Sequence, residues 1–151
     1  TNFKFVIVGD GPDRARLGKL AQSNDVIFMG SLSGRELSEA YASADVFTFA
    51  SQADTFGNVV LEAIASGLPV VAYDYVAAHQ HIKHDVTGWL SPLGHTTDLI
   101  QSICHLPALP QLRQMGLLAS ESVQETSWQF PVQQLEQALY QVAKESPMTS
   151  S

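Results

Sequence analysis

Asp54-Thr55-Phe56-Gly57-Asn58-Val59-Val60-Leu61-Glu62 runs directly into Ala63-Ile64-Ala65-Ser66-Gly67-Leu68-Pro69-Val70-Val71-Ala72. Two carboxylates, Asp54 and Glu62, bracket a Phe-Gly turn and the first turns of a helix. Val59, Val60, Leu61, Ala63, Ile64 and Ala65 make that helix apolar on nearly every face, which predicts that it is buried. A lone carboxylate in such surroundings is unfavourable unless something pairs with it or hydrogen-bonds it, so Glu62 calls for a partner.

Spacing suggests what that partner is. A helix starting near Gly57 leaves Asp54 just before its N-terminus and Glu62 more than one turn inside. At 1.5 Å rise per residue the carboxylates then stand roughly 8–12 Å apart. Between them lie the backbone N–H groups of the first turn, which have no intrahelical acceptor and favour an anion. Carboxylate, anion cradle and carboxylate suit a ligand with hydroxyls at both ends and a phosphate between, such as a nucleotide sugar.

Outward from this block the chain alternates strands with helices. Phe3–Val8 reads as a buried strand, Asp10-Gly11 as a turn, and Pro12 as the opening of a helix to about Gln22. Val26–Met29 is a second strand, and Ser33-Gly34-Arg35-Glu36 is a capping-box pattern for a helix to about Ser43. Asp45–Phe49 and Val70–Tyr73 read as strands on either side of the acid-bracketed helix, with Gly67 and Pro69 ending that helix. A short extended piece follows at Trp89-Leu90, then helices near Thr97–His105, Leu109–Val123 and Pro131–Lys144, then a frayed tail. This alternation predicts an α/β fold, a doubly wound, Rossmann-like parallel sheet flanked by helices. Ligands of such sheets sit outside the carboxyl ends of the strands. Gly9–Pro12, Gly30-Ser31, Ser51–Asn58 and Asp74-Tyr75 all follow strands, so they are expected on one rim.

Composition bounds the reading further. With 151 residues and 45% hydrophobic content the chain can bury one sizeable core, expected over residues 1–145, with 146–151 as a flexible tail. Fifteen acidic against eight basic residues give a net charge of −7, which argues against a nucleic-acid surface. A single cysteine, Cys104, rules out an internal disulfide framework and fits a reducing cytoplasm. No apolar run is long enough to span a bilayer.

The Phe-Gly turn with flanking acids, followed by Leu-Glu-Ala-x-Ala-Ser-Gly-x-Pro-Val-Val-Ala, resembles the acid-seven-acid signature of family 4 retaining GT-B glycosyltransferases. Val6-Ile7-Val8-Gly9-Asp10-Gly11-Pro12, Phe28-Met29-Gly30, Asp85–Leu90 and Ser127-Trp128 extend the resemblance along most of the chain. It implies the C-terminal, donor-binding half of such an enzyme. The N-terminal acceptor half, any membrane contact it makes, and an upstream Arg/Lys pair for the diphosphate are then expected to lie outside this sequence, so the fragment alone should be inactive. Asp45 to Asp74 contains no Lys or Arg, in keeping with that expectation.

By the same resemblance Glu62 holds the ribose hydroxyls, and Asp54 contacts the donor sugar and orients it for catalysis. The backbone N–H groups of Phe56, Gly57, Asn58 and Val59 meet sugar and diphosphate. Gly30, Ser31 and Leu32 line the nucleobase, and Gly9 and Gly11 leave room for it. Transfer would proceed with retention, with phosphate as leaving group, no obligatory metal and no cofactor. The whole protein would act in the cytoplasm, or peripherally at the inner face of the membrane.

Departures and competing readings remain. Asp54 is one methylene shorter than the Glu of many relatives. After the fourth strand the family's Gly-Gly and Pro-Glu are replaced by Tyr75-Val76-Ala77-Ala78-His79-Gln80. Helix capping is the competing reading of Asp54 and Thr55, with the functional one favoured for Asp54 by the whole block. Packing is the plainer reading of Trp128 and Tyr140. His79, His81 and His84 lack the i, i+4 spacing of a helical zinc pair. A nucleotide-sugar epimerase-like domain and a non-catalytic nucleotide-sugar-binding module stand as alternative functions.

Overall fold

A computed structural model of the chain describes residues 3–21, 25–52 and 58–124. The chain divides into two compact units, residues 1–43 and 44–151.

The first unit contains β1 (Phe5–Val8), α1 (Arg14–Leu20), β2 (Val26–Gly30) and α2 (Gly34–Ala42). β1 and β2 form a parallel pair with Phe5 opposite Val26, and a shift between Ile7 and Val8 brings Val8 opposite Gly30. β1 was expected to be buried, yet Phe5, Val6 and Val8 are all exposed. The two strands pair only with each other, and no residue of α1 or α2 is buried, so neither face of the ladder is fully covered within this unit. The expected capping box is not made either. Ser33 stands at the N-cap of α2 without a side-chain cap bond, while Arg35 Nε donates to Glu39 at 2.7 Å. Asp13 at the N-cap of α1 is likewise drawn to Arg16 at 3.1 Å, a bond that holds its carboxyl below the usual carboxylate range.

The second unit holds the core. β3 (Phe47–Phe49), α3 (Asn58–Ala65), β4 (Val70–Tyr73), α4 (Val76–His81), β5 (Gly88–Ser91), α5 (Thr96–Cys104) and α6 (Leu109–Gln124) follow in order. The sheet order is β3-β4-β5, all parallel, with Phe47 opposite Val70 and Val70 opposite Gly88. β4 is central and buried throughout. Val71 and Tyr73 join Leu99 of α5 in a cluster that also takes in Trp89, Ile103 and Leu106. By the two-residue period of a strand, Val70 and Ala72 turn to the opposite face, and α3 supplies buried Val60, Ala63 and Ile64. Helices therefore serve both faces of a parallel sheet, as the strand-helix alternation predicts.

α3 ends as its sequence demands. Gly67 has φ +77°, its N–H donates to Ile64 O at 2.9 Å, and the Leu68 N–H donates to Ala63 O at 3.1 Å. These two bonds make a Schellman cap, which a glycine adopts without a Cβ penalty. α4, a helix of six residues, was not anticipated from sequence. The expected Pro131–Lys144 helix, the tail, Trp128 and Tyr140 lie outside the described residues.

Candidate functional site at the strand ends

At the carboxyl ends of β3 and β4 the second unit has a small hollow, open to solvent. Phe49 and Ser51 line it from the end of β3, Val60 from α3, and Tyr73 from β4. Tyr75, Val76 and Ala78 close it from the turn that follows β4. This is where an open parallel α/β sheet places its ligands. The Tyr73 hydroxyl is paired with Thr96 Oγ1 at 3.1 Å, so this residue offers the hollow its ring.

Of the acid-bracketed block, Asn58, Val59 and Glu62 are described, while Asp54, Phe56 and Gly57 lie outside the described residues. Asn58 and Val59 open α3 and are exposed, as residues offering first-turn N–H groups to a ligand must be. Glu62 is exposed too, which corrects the expectation that it is buried. Val60, Ala63 and Ile64 form the inward stripe, and Asn58, Glu62 and Ala65 fall on the outward one at i, i+4 and i+7. The helix is apolar in composition but amphipathic in placement, because Val59 and Leu61 are left partly or wholly uncovered. Glu62 therefore lies on the solvent-exposed face of α3, one turn along from its first described residue.

The turn after β4 shows what sequence reasoning missed. The Asp74 N–H donates to Ser91 O at 2.7 Å, and the Ala78 N–H donates to Tyr75 O at 3.1 Å. Between these bonds Val76 has φ +40°, a left-handed conformation that β-branched residues avoid. Such a residue stores on the order of 1–3 kcal/mol unless its surroundings impose the conformation. Across the turn His79 Nδ1 and Asp74 Oδ1 are hydrogen-bonded at 2.6 Å, with side chains 70% and 42% exposed. The carboxylate accepts and the imidazole donates. An Asp at a strand end with a His five residues later was the available signal.

The first unit has its own rim. Gly9 and Gly30 lie side by side at the ends of β1 and β2, where the Gly9 N–H donates to Gly30 O at 2.7 Å. Both have positive φ, at 123° and 71°. Gly11 receives the Asp10 carboxylate on its N–H at 2.8 Å, and its carbonyl accepts the Arg14 N–H at 3.1 Å. Arg14, which sequence reading did not single out, reaches Asp10 at 3.3 Å, and its Nη1 would lie 3.3 Å from a Cβ added at Gly30. Ser31 and Leu32 lead from Gly30 to the N-cap of α2, the first exposed and the second half-buried.

The histidines have separate surroundings. His84 Nδ1 accepts the Leu90 N–H at 3.0 Å, and partial burial pushes His81 below the ordinary histidine range. Among the described residues no three His, Cys, Asp or Glu side chains gather as a metal site would require.

Comparison with known proteins extends this geometry. Residues 1–108 match the family described as Glycosyl transferases group 1. The chain is 42% identical over 126 residues to a GDP-mannose-dependent alpha-mannosyltransferase of Mycobacterium tuberculosis, covering 83% of this chain and 32% of that protein. It is 35% identical over 147 residues to a sulfoquinovosyl transferase of Arabidopsis thaliana, covering 93% of this chain and 28% of that one. The chain thus spans about a third of the length of these curated relatives. Among solved structures, a sucrose-phosphate synthase of Thermosynechococcus elongatus superposes with a TM-score of 0.74 at 27% identity, over 93% of this chain and 39% of that one. The pneumococcal O-GlcNAc transferase in complex with UDP and GlcNAc shares the fold, with a TM-score of 0.76 at 22% identity over 93% of this chain and 29% of that one. With the parallel α/β fold and this match over most of its length, the chain belongs to the glycosyl transferases group 1 family and has the fold of a GT-B glycosyltransferase domain.

Proposed function

We propose that this chain is the donor-binding half of a retaining glycosyltransferase that moves a hexose from a UDP- or GDP-sugar to a glycan or glycolipid acceptor. The observation that carries the reading is the exposed Glu62 on α3, the helix that also supplies Val60 to the hollow at the ends of β3 and β4. Glu62 holds the ribose hydroxyls, and the N–H groups of Asn58 and Val59 meet the diphosphate. Asp54 orients the sugar. Gly9, Gly11, Gly30, Ser31 and Leu32 serve the nucleobase, and Phe56 and Gly57 bring the backbone close to sugar and phosphate. Transfer occurs on the face from which the diphosphate departs. The protein's part is to hold the anomeric carbon in place and stabilise charge on the leaving phosphate. The mycobacterial relative, named for GDP-mannose, and the pneumococcal structure, which holds UDP, support a nucleoside diphosphate sugar as donor. The whole protein works in the cytoplasm, at the inner membrane face where its acceptor is a lipid.

Two substitutions test the division of labour. Glu62→Gln should weaken both the free nucleoside diphosphate and the nucleotide sugar, by ~1.5–3 kcal/mol or roughly 10- to 150-fold. Asp54→Asn should leave diphosphate binding nearly intact and lower transfer by the whole protein. Titration calorimetry with UDP and GDP, together with transfer assays, reads both. Loss of nucleotide binding in Asp54→Asn with full binding in Glu62→Gln would reverse the roles. No binding of either diphosphate at millimolar concentration would end the donor reading.

A further inference from the structure

Arg14 and Arg16 both stand in the first turn of α1, yet their guanidinium groups are used differently. Arg16 grips Asp13 through Nε and Nη2, each at 3.1 Å, which satisfies that edge of its fork. Arg14 meets Asp10 through Nη1 alone, at 3.3 Å, and its Nε and Nη2 have no partner among the described residues. These two donors lie parallel on one edge of the group and fit a pair of adjacent acceptors. The free edge stands at the rim of the first unit. Nη1 of the same group would lie 3.3 Å from a Cβ added at Gly30, and the Gly30 carbonyl accepts the Gly9 N–H at 2.7 Å. A Cβ at Gly9 or Gly11 would meet nothing within 4 Å, so both glycines border open space.

The surroundings decide what kind of acceptor fits. The Gly9 N–H is taken by Gly30 O and the Gly11 N–H by Asp10, so neither is left for an anion. The Asp10 carboxylate beside Arg14 offsets the guanidinium charge and repels a second anion. A neutral, planar ligand with two adjacent acceptors suits this edge instead. Guanine carries such a pair in O6 and N7, which arginine binds bidentately, whereas adenine sets an amino donor beside N7. In uracil an N–H separates the two carbonyls, so no two neighbouring ring positions both accept.

We propose that Arg14 is a base-selecting residue of the donor site: its Nε–Nη2 edge donates to O6 and N7 of a guanine, and Asp10 holds the guanidinium beside Gly30. This inference rests on the donor-binding reading, in which Gly9, Gly11 and Gly30 serve the nucleobase, and it narrows the donor to a guanine nucleotide. Asp10 acts through Arg14 and is a positioning residue. The side chains of Arg14 and Asp10 are 42% and 56% exposed, so truncating either leaves no buried gap.

Calorimetry with GDP, inosine diphosphate, ADP and UDP provides the test, because hypoxanthine keeps O6 and N7 but lacks the 2-amino group of guanine. GDP and inosine diphosphate should both bind on the order of tenfold tighter than ADP and UDP. Arg14→Ala should erase that preference and leave UDP affinity within about twofold. Arg14→Lys keeps the charge but not the fork, and should erase it as well. Asp10→Ala should weaken GDP and spare UDP in the wild-type background, and have no further effect on GDP in the R14A background. Arg16→Ala is the control and should change none of these affinities, and melting temperatures without ligand show that folded proteins are being compared. A wild type that binds GDP no better than UDP, or inosine diphosphate no better than ADP, overturns the proposal while leaving donor binding intact. So does a preference that survives in R14A or is kept in full by R14K, or an equal loss of all four diphosphates in R14A. Failure of the wild-type protein to bind any of the four probes overturns the donor reading itself, and this inference with it.

Discussion

Glu62 shows how far a single residue can be read from its neighbours. The acid-bracketed pattern singles it out, but its exposure was not legible there. The six apolar residues around it exceed what the inward stripe of α3 needs, and only Val60, Ala63 and Ile64 are buried. Because Glu62 is exposed, Glu62→Gln should alter stability by less than about 0.5 kcal/mol, so any loss of ligand affinity in that variant reports binding. Thermal unfolding without ligand checks this, and a large drop in melting temperature would return Glu62 to a structural role. Ser91 is the opposite case. It is 2% exposed, and among the described residues its Oγ has no hydrogen-bond partner. Leaving a buried hydroxyl unpaired costs roughly 1–3 kcal/mol, so Ser91→Ala should stabilise the fold by about 1 kcal/mol in urea titration. A loss of similar size would mean that the hydroxyl is paired. Neither the orphaned Ser91 nor the left-handed Val76 is visible in sequence, since both depend on which segments come to lie against them.

Elements were easier to read than residues where local signals agreed. Gly67 and Pro69 end α3 and introduce β4, and β2, α2, α5 and α6 start within one residue of their expected positions. α4 escaped because six residues are too few to show helical periodicity, and its first residue has a conformation no valine favours. The contact of α6 with α3 was also unreadable. It depends on Gly116, where an added Cβ would collide with the carbonyl oxygen of Gly67 and press on Pro69. The obstacle is backbone, which cannot rotate aside. Gly116→Ala should therefore destabilise the second unit by about 2–3 kcal/mol despite raising intrinsic helix propensity. Gly18→Ala, in α1 with open space at its Cβ, is the control and should be neutral or mildly stabilising. Equal stability of the two variants would disprove the close approach of α6.

Across the molecule, the parallel α/β class follows from the strand-helix alternation, but the unequal burial of the two units does not. The pattern Phe-Val-Ile-Val reads as core in any context, yet β1 is exposed while β4 is fully covered. Hydrogen exchange should follow that difference, with the amides of β4 protected longest and those of β1 exchanging early. Acid should weaken the fold through His81. Burial lowers its folded-state pKa below the ordinary value near 6.5, so the neutral form is favoured on folding. Above pH 6.5 neither state is charged and nothing is lost. As pH falls below that value the unfolded chain takes up a proton first, and this contribution disappears through the folded-state pKa. Melting temperatures between pH 7.5 and 5.5 should fall less steeply in His81→Gln than in the wild type, and parallel slopes would acquit this residue. The all-parallel order β3-β4-β5 also imposes a schedule on synthesis. No two of these strands can close as a hairpin, so each ladder waits for a helical crossover to leave the ribosome. The apolar run Leu68–Tyr73 acquires its second edge only when Gly88–Ser91 has emerged. Until then one side of β4 is open to pairing with another nascent chain, and chaperone demand should be greatest in that interval.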